Sequence, residues 1–406
     1  MAATRPRRGP PGGRPRYARL GVVAVCLLGC RAPLPGAGDS APVPADSWTP
    51  AAPVWELDAT FADVRVPLGG AGPVWLAAAD ALGACIGAET DAGPVLVRLT
   101  PEGALDPAFA GGVAVDGLVG LSGVSQRDDG GCLAAGSDGA GVAAARALLP
   151  DGRPDPASPA NLPGNVVPLD AAAAPGGAMT VVGFEHVSSH VLRLRSDGTP
   201  DPAWGADGDL DLAGSGQVGV VAGFADGGVV VADVASVGRL DPQGAPDPSF
   251  GDAGWVALDL PFAALAVSRL ATVSDGSVWV LAEELGADAL PVRSYRARLT
   301  ASGAAALSPA ALPLGAGDRI LALAPPFAVG MRSAGGCTVP AVWRLAEEGQ
   351  GFDPDFGAGG VMDLPARSCD ARATAAHLDG AGRLLVAGWD DGIAVVRLAA
   401  QGGQTE

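Results

Sequence analysis

Short alternating apolar runs, separated by Gly, Asp and Pro, recur along most of the chain. Three of them follow one another between residues 262 and 299: FAALAVSRLATVSDG, SVWVLAEE and VRSYRARL. Alternation with period two and such boundaries are typical of β-strands. Asp-Gly pairs favour hairpin turns because the turn needs a positive φ. They join first and second runs at Asp129-Gly130, Asp226-Gly227, Asp275-Gly276 and Asp379-Gly380.

One phrase punctuates these runs. It reads APDPSFGDAGWVALDL at 245–260 and returns from Ala104, Thr199 and Gly351, with fainter copies from Glu56 and Arg153. Its Asp accepts hydrogen bonds from the backbone just ahead and its Pro fixes φ, so together they set a tight turn. We therefore assign these aspartates to structure rather than to catalysis or metal binding. The aromatic residue of the phrase is predicted to fill the gap between neighbouring sheets; it is Phe109, Trp204, Phe250 or Phe356.

The spacing of the phrase predicts the architecture. Its aspartates are Asp58, Asp106, Asp155, Asp201, Asp247 and Asp353. The first four steps are 48, 49, 46 and 46 residues, and the last, of 106, spans a degenerate copy, RARLTASGAAALSPAALPLG at 296–315. Strand-rich repeats of this length are typical of propeller blades. The sequence predicts an all-β fold, a seven-bladed β-propeller of four-stranded antiparallel blades, or six or eight blades if degenerate copies are miscounted.

The two ends of the repeat region predict how the ring closes. The region begins with a fourth-strand phrase at 56–68 and stops after a third strand at 393–398. We expect the N-terminal strand to join the last blade, because an open ring would leave exposed strand edges.

The best copies resemble a known family. VGRLDPQGAPDPSFGDAGWVALDL and LRLRSDGTPDPAWGADGDLDLAG are similar to the delta-60 repeat of bacterial exported proteins, roughly R-x-x-x-D-G-x-L-D-x-x-F-G-x-x-G. The resemblance covers about residues 56–403, with four clear copies and three poor ones. It implies a propeller-like β fold and a place outside the cytoplasm, and it implies no activity.

The N-terminal region is predicted to direct export. Residues 1–19 carry six arginines and no acid, and an apolar run, LGVVAVCLLGC, ends at Cys30. The run is too short to span a membrane and suits a signal peptide. Leu27-Leu28-Gly29-Cys30 resembles a bacterial lipobox, so we predict a lipoprotein signal peptide at 1–29, lipidation of Cys30, a Pro/Ala/Gly-rich tether to residue 53 and a propeller at 54–403. An ordinary secretion signal cut nearby is the alternative. Arg31 after the cysteine favours the outer membrane.

Composition narrows the classes of function. All 26 basic residues are arginine, which excludes a catalytic or phosphate-loop lysine. The net charge of −18 argues against nucleic-acid binding, which needs a basic face.

Candidate chemistry is sparse, and we assign no catalytic residue, cofactor or metal site. His186 and His190 could share a metal with Glu185, or be two exposed loop histidines. The acidic stretch 207–211 reads as the edge of a fourth strand rather than a calcium loop. Arg127, Arg269 and Arg372 lie in or near inner strands, where they form a ligand-facing ring or, as we favour, pair with nearby acids.

Four cysteines remain in the exported chain once Cys30 is set aside. Cys85 and Cys132 fall at matching places on neighbouring blades, which we expect to be about 8–10 Å apart, beyond the reach of a disulfide. We expect both to be buried free residues. Cys337 and Cys369 are predicted to lie in loops on one face and to form a disulfide, which stabilises by roughly 3–4 kcal/mol in the chain-entropy model; two free thiols are the alternative.

The sequence therefore predicts a monomeric, lipid-anchored envelope protein whose propeller binds or scaffolds an unknown protein or saccharide. The alternative is a propeller enzyme of the sugar dehydrogenase or lyase type, with its site over the central channel.

Overall fold

The computed structural model describes residues 54–401 except 62, 70–71, 80–82, 110, 160–161, 163, 213–215, 262–264, 287–290 and 348–350. The predicted signal peptide, Cys30 and the tether lie outside the described residues. The described residues form 28 strands and two 3₁₀ turns, Pro107–Phe109 and Pro175–Gly177. The strands are β1 Val54–Leu57, β2 Val64–Val66, β3 Val74–Ala79, β4 Gly83–Thr90, β5 Gly93–Leu99, β6 Val113–Ala114, β7 Gly120–Gln126, β8 Cys132–Ser137, β9 Ala143–Leu148, β10 Val167–Ala173, β11 Met179–Glu185, β12 Ser188–Leu194, β13 Asp209–Asp211, β14 Val220–Gly223, β15 Val229–Ala232, β16 Ser236–Leu240, β17 Trp255–Ala257, β18 Leu265–Thr272, β19 Val278–Leu285, β20 Pro291–Leu299, β21 Ala305–Ala311, β22 Arg319–Ala324, β23 Phe327–Ala334, β24 Cys337–Arg344, β25 Val361–Asp363, β26 Arg372–Leu378, β27 Leu384–Trp389 and β28 Ile393–Gln401.

These strands form seven antiparallel sheets, which we number as blades in chain order. Blade 1 is β3–β6, blade 2 β7–β9, blade 3 β10–β13, blade 4 β14–β17, blade 5 β18–β21, blade 6 β22–β25, and blade 7 β26–β28 with β1 and β2. The protein is a seven-bladed β-propeller, as the repeat spacing predicts. Blade 2 has three strands among the described residues, and the degenerate copy at 296–315 supplies β21, the fourth strand of blade 5.

The N-terminal segment closes the ring, which confirms the predicted closure. Both β1 and β2 pair antiparallel with β28, Val54 lying opposite Gln401 and Val66 opposite Ile393. The Trp55 ring packs edge-on against Phe327 of blade 6, with 4.7 Å between ring centroids. The last blade is therefore completed by residues more than 300 positions away in the chain.

The hydrophobic core consists of layers between adjacent blades. Each of the seven junctions has its own cluster of buried side chains. Four junctions contain the aromatic residue of the repeated phrase, fully buried as predicted: Phe109, Trp204, Phe250 and Phe356. Successive apolar side chains along a strand thus pack alternately against the blade on one side and the blade on the other.

The innermost strand is kinked in five blades. The pairing register shifts between residues 121 and 123, 168 and 170, 267 and 269, 320 and 322, and 373 and 375. In four of these blades the facing residue of the second strand is glycine: Gly136, Gly183, Gly330 and Gly388. A Cβ there would collide with a carbonyl oxygen of the kinked strand. Glycine thus permits the bulge that shapes the channel wall.

The predicted Asp-Gly turns are correct in three of four cases. Gly130, Gly227 and Gly276 have positive φ. In blade 7 the positive φ falls on Gly382 instead of Gly380, because the turn has the same length but begins at Asp379, which accepts hydrogen bonds from the backbone N–H groups of Ala381 and Arg383.

The described residues contain two disulfides, and one contradicts our expectation. Cys85 of β4 and Cys132 of β8 are bonded, with their Cα atoms 5.9 Å apart. The strands are those predicted, but the spacing of about 8–10 Å was wrong. Radiating sheets converge toward the axis, and a second strand lies close to it. The other disulfide joins Cys337 to Cys369, with Cα atoms 4.6 Å apart. Peptide mapping without reduction tests both links in the exported protein.

Candidate functional site

The propeller has two unlike faces. We call the one formed by the connections from first to second and third to fourth strands the turn face. The loop face carries the connections from second to third strands and from each blade to the next. Cys337 and Cys369 lie on the loop face, and the repeated Asp-Pro phrase lies on the turn face.

Charges on the turn face are neutralised within the fold. Each phrase aspartate caps its own turn, as Asp247 does by accepting a hydrogen bond of 2.9 Å from the Ser249 backbone N–H. The side chain and backbone of Ser249 hold the pKa of Asp247 below its ordinary value. An arginine then pairs with the carboxylate, at 3.2 Å for Arg239 and Asp247. Equivalent pairs are Arg397–Asp58, Arg98–Asp106, Arg127–Asp155, Arg195–Asp201 and Arg344–Asp353.

Along the channel wall, side chains of one blade form hydrogen bonds with the backbone of the inner strand of a neighbouring blade. Asp170 accepts a hydrogen bond of 3.0 Å from the Val221 N–H, and Glu89 accepts one of 2.9 Å from the Leu121 N–H. Thr374 Oγ1 donates to the Val74 carbonyl at 2.9 Å and accepts from its N–H at 3.1 Å. The innermost strand of each blade is a sheet edge, so its channel-facing backbone groups have no sheet partner, and these side chains satisfy some of them.

Arginines from three consecutive blades, 5, 6 and 7, lie on the innermost strands along the channel. Arg319 and Arg372 begin the inner strands of blades 6 and 7, at the loop-face end, and occupy equivalent places because each precedes its bulge by the same number of residues. Arg269 follows the bulge of blade 5 and is exposed although its strand is innermost, so it faces the channel. Its Nε donates to the Leu321 carbonyl of blade 6 at 2.7 Å. Burial lowers the pKa of Arg372, while Asp370 opposes that shift.

Two carboxyl groups share this region. Asp170 follows the bulge of blade 3, as Arg269 does in blade 5. Burial raises the pKa of Asp170 to about 6, although the Val221 N–H and the charge of Arg269 favour its ionised form. Burial also raises the pKa of Glu283 of β19, against the charges of Arg269 and Arg319. The charge of Arg269 therefore acts on both carboxyl groups, and the charge of Arg319 acts on Glu283 as well.

The other candidates fall outside this cluster. Arg127 lies on the turn face and pairs with Asp129 and Asp155 at 2.9 and 2.8 Å, so for this arginine the pairing interpretation is correct. Arg269 contradicts that interpretation, because its Nε and one terminal nitrogen donate to backbone carbonyls and, among the described residues, no carboxylate pairs with it. His186 is exposed, but His190 is buried in β12 with Nδ1 3.0 Å from Asp209, because its strand faces a fourth strand. The stretch 207–211 includes β13, the predicted fourth-strand edge.

Within the described part of the chain, no three His, Cys, Asp or Glu side chains group as a metal ion would need. Over those same residues, no helix has the length and apolar character to cross a bilayer.

Exposed apolar side chains gather on the loop face. Of the six large hydrophobic residues that stand exposed in the described part, four lie on the loop face: Val119, Val187, Val234 and Val292. Val187 and Val234 lie in the connection from second to third strand of blades 3 and 4, and Val292 is the second residue of β20, directly after the same connection in blade 5. Val187 is 97% exposed. These valines form an arc over three adjacent blades.

Comparison with known proteins supports the fold. No protein-family model matches the chain, and no curated protein does. Among solved structures, it is similar to a streptogramin B lyase, with a TM-score of 0.54 and 13% identity over 86% of this chain and 98% of that one. It is similar also to virginiamycin B lyase from Staphylococcus aureus, with a TM-score of 0.55 and 12% identity over 85% of this chain and 99% of the lyase. At this identity the likeness is one of fold.

Sequence reasoning missed most of the channel cluster. Asp170, Glu283 and Arg319 stand in ordinary strand positions and no motif surrounds them. A signal did exist: a charged residue inside an inner-strand run, as in VPLDAAA and LAVSRLAT, interrupts apolar alternation where a bulge turns the side chain toward the channel.

Proposed function

We propose that the protein is a lipid-anchored binding module of the bacterial envelope that recognises a partner protein through its loop face. The observation that carries the proposal is the arc of exposed valines at or beside the second-to-third-strand connections of blades 3, 4 and 5. Apolar side chains in adjacent exposed loops mark surfaces for protein association. Loops on a rigid scaffold suit recognition.

The place of the N-terminus fits this orientation. Val54 lies opposite Gln401, at the turn-face end of β28, so the described chain begins at the turn face. A tether from Cys30, lipidated in the outer membrane, would enter the propeller at the face opposite the valines. The loop face would then point away from the anchor toward a partner.

Site-specific cross-linking tests the recognition surface. We would place a photo-reactive residue at Val234 in the full-length protein in native envelopes, and a matched one at Gln243, exposed on the turn face of the same blade. We expect a discrete adduct from Val234, lost when Val187 and Val292 are changed to Ser. Adducts of equal yield from Gln243, or none from Val234, would refute a loop-face partner.

Replacement of Cys30 tests the anchor. Cys30→Ala should release the protein from the membrane fraction and remove the acylated N-terminus seen by mass spectrometry. Cys26→Ala, within the predicted signal peptide, is the control and should leave the protein anchored. A wild-type protein that is soluble and unmodified contradicts the lipid anchor.

A second candidate function is an enzyme, which Asp170 favours. A carboxyl group with a pKa of about 6 in a channel beside an arginine has the properties of a general base. Lyase activity on uronate-containing polysaccharides would yield unsaturated products. The expected result for an enzyme is product formation that Asp170→Asn abolishes while the Val234 adduct persists; product formation unchanged in Asp170→Asn contradicts this role.

A further inference from the structure

The loop-face end of the channel contains two guanidinium groups that the fold does not neutralise. Arg269 donates to the Leu321 carbonyl at 2.7 Å and to the Ser268 carbonyl at 2.5 Å. Arg319 donates to the Asp318 carbonyl at 2.8 Å. Among the described residues, no carboxylate lies within 4.0 Å of either group. This differs from the turn face, where every phrase aspartate has an arginine partner.

The backbone contacts fix these groups and leave donors over. Arg269 uses Nε and one terminal nitrogen, so its other terminal nitrogen has no partner among the described residues. The Nε of Arg319 is buried and unpartnered. A buried donor without a partner is unfavourable, and a bound acceptor would satisfy it. Two planar guanidinium forks on adjacent inner strands suit a carboxylate, which accepts bidentate hydrogen bonds.

Glu283 supplies the complementary chemistry beside them. Glu283 lies opposite Ala266, which comes directly before the bulge of blade 5. Arg319 has the same place before the bulge of blade 6, so Glu283 and Arg319 lie at the same depth along the channel. Glu283 is half-buried and has no hydrogen bond among the described residues, although both arginines influence its ionisation. Hydrogen bonds to backbone carbonyls hold the guanidinium groups of Arg269 and Arg319 in place, so neither forms an ion pair with Glu283. The Glu283 carboxylate can accept a hydrogen bond from a hydroxyl group, and the two guanidinium groups can donate to a carboxylate. Together they suit a ligand that carries a hydroxyl group next to a carboxylate.

We propose that the loop-face end of the channel binds a small hydroxy acid of the sugar-acid class, its carboxylate held by Arg269 and Arg319 and a neighbouring hydroxyl donating to Glu283. The ligand is smaller than the partner proposed for the valine arc and occupies a different place, so the two sites are independent. The ligand would enter from the loop face, where Arg319 and Arg372 begin their strands.

Calorimetric titration of the full-length protein in detergent tests the site with three probes. They are D-glucuronate, acetate, which retains only the carboxylate, and glucose, which retains only the hydroxyls. We expect saturable binding of glucuronate, at least about tenfold weaker binding of acetate, and none of glucose, since each lost charged hydrogen bond is worth about tenfold or more.

Single substitutions assign the contacts. Arg269→Gln and Arg319→Gln should each weaken glucuronate binding about tenfold or more. Glu283→Ala should reduce the preference for glucuronate over acetate while acetate binding is kept. Arg153→Gln, exposed on the turn face and paired only with Asp151, is the control and should bind like the parent. Circular dichroism confirms that each variant is folded.

Several results would overturn the proposal. These are a folded parent that shows no heat with glucuronate, equal affinity for glucuronate and acetate, or unchanged binding in Arg269→Gln and Arg319→Gln. If the Val234 adduct forms in native envelopes while glucuronate fails to bind, the channel site is wrong and the partner surface stands. The converse result rejects the partner surface alone.

Discussion

The turn face and the loop face are built by the same seven blades, yet they treat charge and apolar surface in opposite ways. On the turn face the aromatic side chain of the phrase is buried, as Phe250 is, and the carboxylate beside it is paired. On the loop face Val187 and Val234 stand exposed, and Arg269 has no acid partner. The residues that recur from blade to blade hold the ring together. The exposed side chains of the loop face take no part in that packing and are available for recognition.

The same contrast separates two aspartates. Asp247 on the turn face has its pKa lowered by hydrogen bonds from Ser249, so its ionised form stabilises the fold. Asp170 in the channel has its pKa raised by burial, so its ionised form weakens the fold at neutral pH. A destabilising group kept in the channel is typical of a site with a function beyond folding.

Removal of the N-terminal segment should have the largest effect, because that segment runs from one face to the other. Deleting residues 54–68 removes β1 and β2 and the buried Val64 and Val66. Burial of each valine is worth roughly 1.5–3 kcal/mol, and the deletion also exposes the edge of β28. We expect aggregation, or a loss of stability of about 5 kcal/mol or more, measured by urea unfolding. A deletion variant that melts with the parent would refute closure by this segment.

Truncation of one turn-face aromatic should have the next largest effect. Phe250 is fully buried between blades 4 and 5, and Phe→Ala in a core costs about 3–5 kcal/mol. Phe250→Ala should therefore unfold at markedly lower urea concentration. Val234→Ala, on the loop face of the same blade, is the matched control. A small loss for Phe250→Ala would mean that the phrase contributes turns but little packing.

The pH dependence of the two aspartates should have opposite signs. Asp170 titrates near 6 in the folded protein and near 4 when unfolded, so the parent loses roughly 3 kcal/mol as the pH rises from about 4 to 6 and above. Asp170→Asn should be more stable than the parent at pH 8 by up to that amount and equal to it below pH 4. Asp247→Asn should instead be less stable at neutral pH, with the difference vanishing as the pH falls through the lowered pKa of Asp247. Urea unfolding at several pH values measures both; a destabilised Asp170→Asn at pH 8 contradicts the burial argument.

Polar substitution of the loop-face valines should have the smallest effect on stability. Val187→Ser removes no buried contact, since the side chain is 97% exposed. We expect a change within about 0.5 kcal/mol, typical of exposed positions. The melting temperature should stay at the parental value while the Val234 adduct is reduced. A large loss of stability would show that the loops pack on one another and are not free for a partner.

Sequence alone determined the ring and its blades. The repeated Asp-Pro-x-aromatic-Gly phrase, its spacing and the Asp-Gly turns encode local backbone geometry, and local geometry can be read without knowledge of neighbours in space. The fourth strand at the start of the repeat region likewise predicted closure on β28. The buried role of Phe109 and its equivalents followed from their place in the phrase.

The tertiary structure decided everything that depends on distance between blades. Cys85 and Cys132 bond because radiating sheets converge near the axis, a spacing that the order of strands does not contain. Arg269, Arg319 and Glu283 come together because of the bulges in the inner strands. The position of a bulge depends on the facing residue of the second strand, which is often glycine because a Cβ would collide with the kinked strand. Charge, unlike strand pairing, acts through space between residues of different blades. Only the closed ring brings those residues to one end of the channel.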